Sequence, residues 1–240
     1  SIRGLGMVAG VNYDGMTGFY LTLGSGADQF TIDSTHTNYS QVILGPGADE
    51  LLINAVSGYT DILGGSGADT ITVDQLPSLT TEQNGVRDVL NLDGQGDADT
   101  YIVNYTGAGD YLINVFDTGS GGYDELQAYG TEFADELLLR ASQDPNGVAF
   151  VAALHGDPVS DVERVNYDKN LEHLLLDTQG GDDVVAVDDN WTATTLRGGE
   201  GDDSFQVGQI FKTERDAAAG VAPEDVFATV QTTRGFLSNG

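Results

Sequence analysis

The nine residues GGSGADTIT, 64–72, decide the fold. Gly64, Gly65, Gly67 and Asp69 precede Ile71 and Val73, two apolar residues separated by a polar one. Glycine accepts a positive φ without a Cβ clash, so a Gly-x-Gly-x-Asp stretch can fold a tight corner. Apolar residues at every second position bury one face of a strand and leave the other wet.

One such corner carries little information, but related stretches recur. LGSGADQFTID starts at Leu23, LGPGADELLIN at Leu44 and GGEGDDSFQ at Gly198. Aligned on the aspartate, the series runs Asp28, Asp49, Asp69, Asp99, Asp124, Asp183 and Asp203. The first three are 21 and 20 residues apart and the last two are 20 apart. The interval from Asp69 to Asp99 grows to 30 through QLPSLTTEQNGVRD, which reads as an inserted loop. DGQGDADTYIVN from Asp93 and TGSGGYDELQ from Thr118 read as copies with one more residue between the second glycine and the aspartate, while TGAGDYLINV and GTEFADELLL are degraded copies.

Short apolar segments flank each copy, such as QVIL, TDIL, VLNL and LLLD before it and Phe30/Ile32, Tyr101/Val103, Val185/Val187 and Phe205/Val207 after it. No helical period is sustained. A strand-turn-strand unit of about 20 residues cannot bury its apolar face alone and must stack on its neighbours. The expected fold is all-β, a parallel β-solenoid with rungs of about 20 residues and the GxGxD turns on one edge. Stacking then lines the aspartates up about 5 Å apart, where bare carboxylates repel by roughly 1 kcal/mol in water and by several at an effective dielectric near 20. Cations between rungs relieve that repulsion, and calcium, which takes six to eight oxygen ligands, suits carboxylates mixed with turn carbonyls.

Composition points the same way. The chain has 240 residues, nine basic against 38 acidic, a formal charge of −29 and no cysteine. Such a surface repels nucleic acid and anionic lipid, and no apolar stretch is long enough to insert as a spanning helix. Disulfides, thiolate metal clusters and thiol nucleophiles are excluded. A hydrophobic content of 40% in short periodic runs argues against disorder.

The pattern GGxGxDxUx, with U a large apolar residue, resembles the RTX or haemolysin-type calcium-binding repeat. Residues 64–72 and 198–206 match it in full, LGSGADQFT and LGPGADELL lack only the first glycine, and DTQGGDDVV departs from the G-x-G spacing. The resemblance implies Ca²⁺ held between successive turns. Carried over by motif, its ligands are Gly24, Gly26 and Asp28; Gly45, Gly47 and Asp49; Gly65, Gly67 and Asp69; Gly199, Gly201 and Asp203; and, from the looser copies, Asp97, Asp99, Asp124 and Asp183. The usual RTX roll carries the motif on both edges, so a single motif about every 20 residues implies a wider solenoid with one calcium-bearing edge.

Residues 140–170 read as a hairpin off the solenoid and 211–227 as a further loop, within one domain, 1–240, cut from a longer repeat array. The resulting expectation is a non-enzymatic calcium-bound segment of an extracellular or cell-surface bacterial protein, an adhesin stalk, matrix or fibre subunit that meets neighbouring repeats or copies of itself end to end. The competing expectation is a module of a secreted polysaccharide-acting enzyme, or a binder of cell-surface glycan through aromatics of the middle third (Tyr101, Tyr105, Tyr111, Phe116, Tyr123, Tyr129). Paired acids such as Asp182/Asp183 point to opposite faces of a strand, and His36, His155 and His173 share no metal-type spacing.

Overall fold

The structure, a computed structural model, describes residues 2–4, 15–74, 85–86, 88–108, 111–119, 121–142, 147–154 and 162–207. Among these the chain forms strands and no helix: β1 (Ile2–Gly4), β2 (Gly18–Thr22), β3 (Gln29–Ile32), β4 (Tyr39–Pro46), β5 (Glu50–Ile53), β6 (Ala55–Val56), β7 (Thr60–Ser66), β8 (Thr70–Asp74), β9 (Gly85–Val86), β10 (Leu90–Gly96), β11 (Thr100–Asn104), β12 (Tyr111–Val115), β13 (Glu125–Tyr129), β14 (Glu136–Ala141), β15 (Ala149–Leu154), β16 (Val162–Tyr167), β17 (His173–Asp177), β18 (Val184–Val187), β19 (Ala193–Arg197) and β20 (Ser204–Val207). The expected loop at 211–227 lies outside the described residues, as does most of the insert after Asp74.

Two long sheets account for nearly all of them. One is eight-stranded, in the order β1-β3-β5-β8-β11-β13-β17-β19; the other is ten-stranded, in the order β2-β4-β7-β10-β12-β16-β15-β14-β18-β20. Apart from β14–β16, which follow one another in the ten-stranded sheet, the chain passes back and forth between the two long sheets, and neighbouring strands pair in parallel except at β1–β3, β14–β15 and β15–β16. The period-two pattern explains this. In β8 burial alternates along the strand, with Ile71 and Val73 inward, and register carries the inward residues into columns. Phe30, Leu51, Ile71, Tyr101, Leu126 and Leu174 stand opposite one another across successive strands of the eight-stranded sheet, as do Val42, Ile62, Leu92, Val115 and Tyr167 across the other. These columns belong to one continuous apolar core, and each fully buried aliphatic side chain in it contributes about 1.5–3 kcal/mol.

Three expectations need correcting. The segment 140–170 does not project as a separate hairpin. Its strands β15 and β16 pair antiparallel, as a hairpin should, but with β14 they are inserted into the ten-stranded sheet between β12 and β18. Their burial explains why: β15 is buried at every position, which a solvent-facing hairpin cannot be.

The motif turns also do not all lie on one edge. The turns at Asp28, Asp49, Asp69, Asp99 and Asp124 lead from the ten-stranded to the eight-stranded sheet, whereas those at Asp183 and Asp203 lead the opposite way. The switch follows from GTEFAD, 130–135, which closes a turn only 11 residues after Asp124, half of a 20-residue circuit.

Finally, DGQGDAD contains no inserted residue. Gln95 stands opposite Gly65 and Gly96 opposite Ser66, so Gln95 and Asp97 occupy turn positions that are glycines elsewhere. Both keep the left-handed backbone there, at φ 74° and 75°. TGSGGYD does carry extra residues, because Asp117 falls opposite Gly94 and seven residues, rather than five, separate it from Asp124.

Close stacking of the turns makes some glycines obligatory. A Cβ on Gly67, at φ 115°, would stand 1.9 Å from the carbonyl oxygen of Gly47 on the preceding turn, whereas one on Gly24 would meet nothing within 4 Å. Gly67→Ala is therefore expected to destabilise the chain by roughly 2–4 kcal/mol, and Gly24→Ala by less than about 1 kcal/mol. Urea unfolding of both variants in chelator checks this, and equal losses would contradict the stacked turns.

Candidate metal centre

Each motif aspartate ends its turn one residue before a strand, so parallel stacking brings successive aspartates together. The main-chain N–H of Asp28 donates to Asp49 Oδ1 at 2.7 Å, that of Asp49 to Asp69 Oδ1 at 2.8 Å, that of Asp69 to Asp99 Oδ1 at 2.8 Å, and that of Asp99 to Asp124 Oδ1 at 2.7 Å. The Asp124 N–H continues the series to Glu172 Oε2 at 2.7 Å. At the opposite junction a second, shorter ladder runs from the Asp135 N–H to Asp183 Oδ1, 2.8 Å, and from the Asp183 N–H to Asp203 Oδ1, 3.1 Å. Of the nine carboxylates in the two ladders six are buried, with Asp49, Asp69, Asp99 and Asp183 each 1% exposed and Asp124 and Asp135 at 7% and 6%.

The second oxygens are left over. Oδ2 of Asp49, Asp69, Asp99 and Asp183 is buried with no hydrogen-bond partner among the described residues. At Asp69 and Asp99 that oxygen faces the start of its own turn: a Cβ on Gly64 would lie 2.4 Å from Asp69 Oδ2, and one on Gly94 2.1 Å from Asp99 Oδ2. Glycine at the head of the motif therefore makes room for the carboxylate. Gly24, Gly26, Gly47, Gly67, Gly199 and Gly201 sit in the turns before the ladder aspartates, and Gly45 and Gly65 near the ends of β4 and β7, which lead into them. The carbonyl oxygens of Gly24, Gly26, Gly45 and Gly47 lie against the space that a Cβ would occupy on the corresponding glycine of the next turn. Asp97 is outside the ladder, exposed, with its Oδ2 accepting the Gly67 N–H at 2.9 Å.

Asp99 and Asp124 meet a residue that motif counting missed. Asp117 is 2% exposed, and one oxygen from each of Asp99, Asp117 and Asp124 lies within 4.8 Å of the others. Asp117 Oδ1 accepts the Gly119 N–H at 2.8 Å and Oδ2 accepts the Tyr101 hydroxyl at 3.1 Å, while that hydroxyl in turn accepts the Gly94 N–H at 2.5 Å. The Asn170 amide donates to the Asp117 carbonyl. Asp93, whose carboxylate accepts the Thr118 N–H and hydroxyl at 3.0 and 2.7 Å, acts electrostatically on Asp117 and Asp168, and Glu172 on Asp117 and Asp124. Asp135, Glu172 and Asp117 complete the set that sequence reasoning missed. Asp135 had a visible signal, five residues after Gly130 as Asp69 is after Gly64.

Burial is the main cause of the raised pKa values here, with neighbouring carboxylates adding to it. Asp69 is pushed up to about 6, Asp99 to about 7 and Asp124 to about 6, and Asp117 is raised as well. Two unit charges 4.8 Å apart repel by about 3.5 kcal/mol at an effective dielectric of 20. Described basic groups of this half of the chain are engaged elsewhere: Arg140 Nε with Asp188 Oδ2 at 2.7 Å, Arg197 with Asp177 at 3.6 Å, and Lys169 over the Trp191 ring at 4.4 Å. The site can therefore hold protons or a hard cation. Lacking sulfur and imidazole, it favours an oxygen-seeking ion.

Several of the middle-third aromatics have no surface to offer a sugar. Tyr101, Tyr105 and Tyr111 are buried, and the Tyr105 hydroxyl donates to the Val151 carbonyl at 3.0 Å, whereas Tyr123 is exposed. Comparisons with known protein families, with curated proteins and with solved structures give no match.

The raised carboxyls set the pH dependence of the metal-free chain. The folded state binds protons more tightly than the unfolded chain, whose aspartates titrate near 3.9, so the stabilisation is complete below about pH 4 and is lost as pH rises through about 6 to 7. In metal-stripped buffer the melting temperature is expected to fall from pH 4.5 to pH 8. A melting temperature that is flat or rises across this window would contradict the burial of these groups.

Proposed function

We propose that the chain is a parallel β-solenoid that binds Ca²⁺ along its stacked turns and serves as a structural segment of an extracellular or cell-surface bacterial protein. The observation that carries the reading is the pair of aspartate ladders. At Asp49, Asp69, Asp99 and Asp183 a buried carboxylate spends one oxygen on the neighbouring turn's N–H and keeps the other without a partner among the described residues. Carbonyls of the same turns project onto the next turn, and the chain as a whole carries a formal charge of −29. These are the hard oxygen donors that calcium takes, and the Gly-x-Gly-x-Asp spacing resembles the RTX repeat. Calcium binding adds to folding free energy by mass action, so such a segment would stay loosely folded where calcium is scarce and stiffen where it is plentiful. Copies or neighbouring repeats stacked end to end would extend the same two sheets, giving an adhesin stalk, matrix or fibre element without catalysis.

A second reading draws on the same hydrogen bonds. A carboxyl that accepts an N–H from the next turn also holds the turns together with no ion at all, as a protonated cap. Thermal melting by circular dichroism at neutral pH, in millimolar calcium, in chelator and in magnesium, separates the two. At 100 times its Kd each calcium adds about 2.7 kcal/mol, so two ions raise the melting temperature by about 10–20 °C. Identical melting in calcium and chelator would leave the ladders as caps and overturn the calcium reading.

A further inference from the structure

The turn at 117–124 differs from every other motif turn in the first ladder in a way that adds a ligand. Register places Asp117 opposite Gly94, which itself stands in line with Gly64. At Gly64 and Gly94 the missing side chain leaves room for the carboxylate of Asp69 or Asp99; at 117 a third carboxylate enters the same place, and the extra turn residues make room for it. Three acids alone would be an ordinary acidic cluster. Here Asp99, 1% exposed, also directs an unpartnered Oδ2 at this cradle, where a Cβ on Gly94 would meet Asp99 Oδ2 at 2.1 Å and the Tyr101 hydroxyl at 2.6 Å. The same hydroxyl donates to Asp117 Oδ2 at 3.1 Å, so the orphan oxygen and the added carboxylate face one small volume.

We propose that Asp99, Asp117 and Asp124 form a discrete divalent-cation site, tighter than the turn sites of the ladders and the first to load. Each of the three has one oxygen fixed by a main-chain N–H, from Asp69, Gly119 and Asp99 respectively, so the side chains are positioned before an ion arrives. Their donor oxygens lie within 4.8 Å of one another, the widest separation that two oxygens on one calcium ion can have at about 2.4 Å each. Three carboxylates on one ion give a more negative ligand set than one or two carboxylates with neutral carbonyls, and charge count is a main determinant of calcium affinity. The site also lies where the first ladder passes from Asp124 to Glu172 across the inserted strands. An ion there ties β10–β11, β12–β13 and the approach to β17 together before the weaker turn sites fill.

This inference rests on the calcium reading for Asp99 and Asp124 but stands or falls on Asp117. The test is calorimetric titration of the whole chain with CaCl₂ after metal stripping, for wild type, Asp117→Asn and Asp203→Asn. Asp117→Gly, which restores the glycine found at 64 and 94, is the second variant should Asp117→Asn not fold, with circular dichroism in chelator as the folding check. Wild type is expected to show one tight equivalent followed by a weaker class; Asp117→Asn or Asp117→Gly loses the tight equivalent, at least tenfold in Kd, and Asp203→Asn keeps it. A single equivalent that disappears in Asp117→Asn would support this site while overturning the ladder reading. Unchanged tight binding in the Asp117 variants overturns this site and leaves the ladders standing. No calcium uptake by wild type overturns both.

Discussion

An aspartate N–H can reach the next aspartate's carboxylate only if consecutive turns lie directly on one another. That one hydrogen bond, repeated from Asp28 to Glu172 and from Asp135 to Asp203, fixes much of the rest. It sets the strand register, because each aspartate stands immediately before a strand of the following sheet. It forces turn backbones so close that only glycine, or a residue already in the left-handed region such as Asp97, fits between them. Once the register is set, the inward alternation on both sheets stacks Ile71 on Leu51 and Ile62 on Val42 without further instruction.

The same bond creates the electrostatic difficulty that the proposed function answers. To accept an N–H from the neighbouring turn the carboxylate must sit inside the corner, away from water, with other carboxylates above and below. Burial and like charge then act together, raising the pKa values of Asp69, Asp99 and Asp124. Protons relieve the repulsion at low pH and a divalent cation would relieve it at neutral pH, so under the proposed function a single geometry would serve as a mechanical clamp in one state and an ion site in the other. The strongly acidic composition excludes relief by lysine or arginine along most of the ladder, since the chain has nine basic residues in all.

The sequence made legible what depends on local pattern and hid what depends on three-dimensional stacking. Alternation after Asp69 and Asp99 marked the strands, and Gly-x-Gly-x-Asp marked the corners at Asp28, Asp49, Asp69 and Asp203. Gln95 and Asp97 were misread as an insertion because glycine counting assumes that every left-handed position is glycine. Asp117 was missed because it stands where the motif has glycine, so its own turn looked merely irregular. Glu172 belongs to no motif; it reaches Asp124 across 48 residues only because β14, β15 and β16 fill the ten-stranded sheet before the chain returns. The change of junction was legible in principle, since an 11-residue interval between Asp124 and Asp135 is half a circuit.

The most direct test of the central claim is a crystal structure grown in millimolar calcium, with anomalous difference maps collected at long wavelength. The calcium reading predicts anomalous peaks in line with the stack, within coordination distance of the second oxygens of Asp49, Asp69 and Asp183 and at the Asp99–Asp117–Asp124 centre. Intact N–H···carboxylate ladders with no anomalous density beside them would contradict it and leave the aspartates as hydrogen-bonding caps alone.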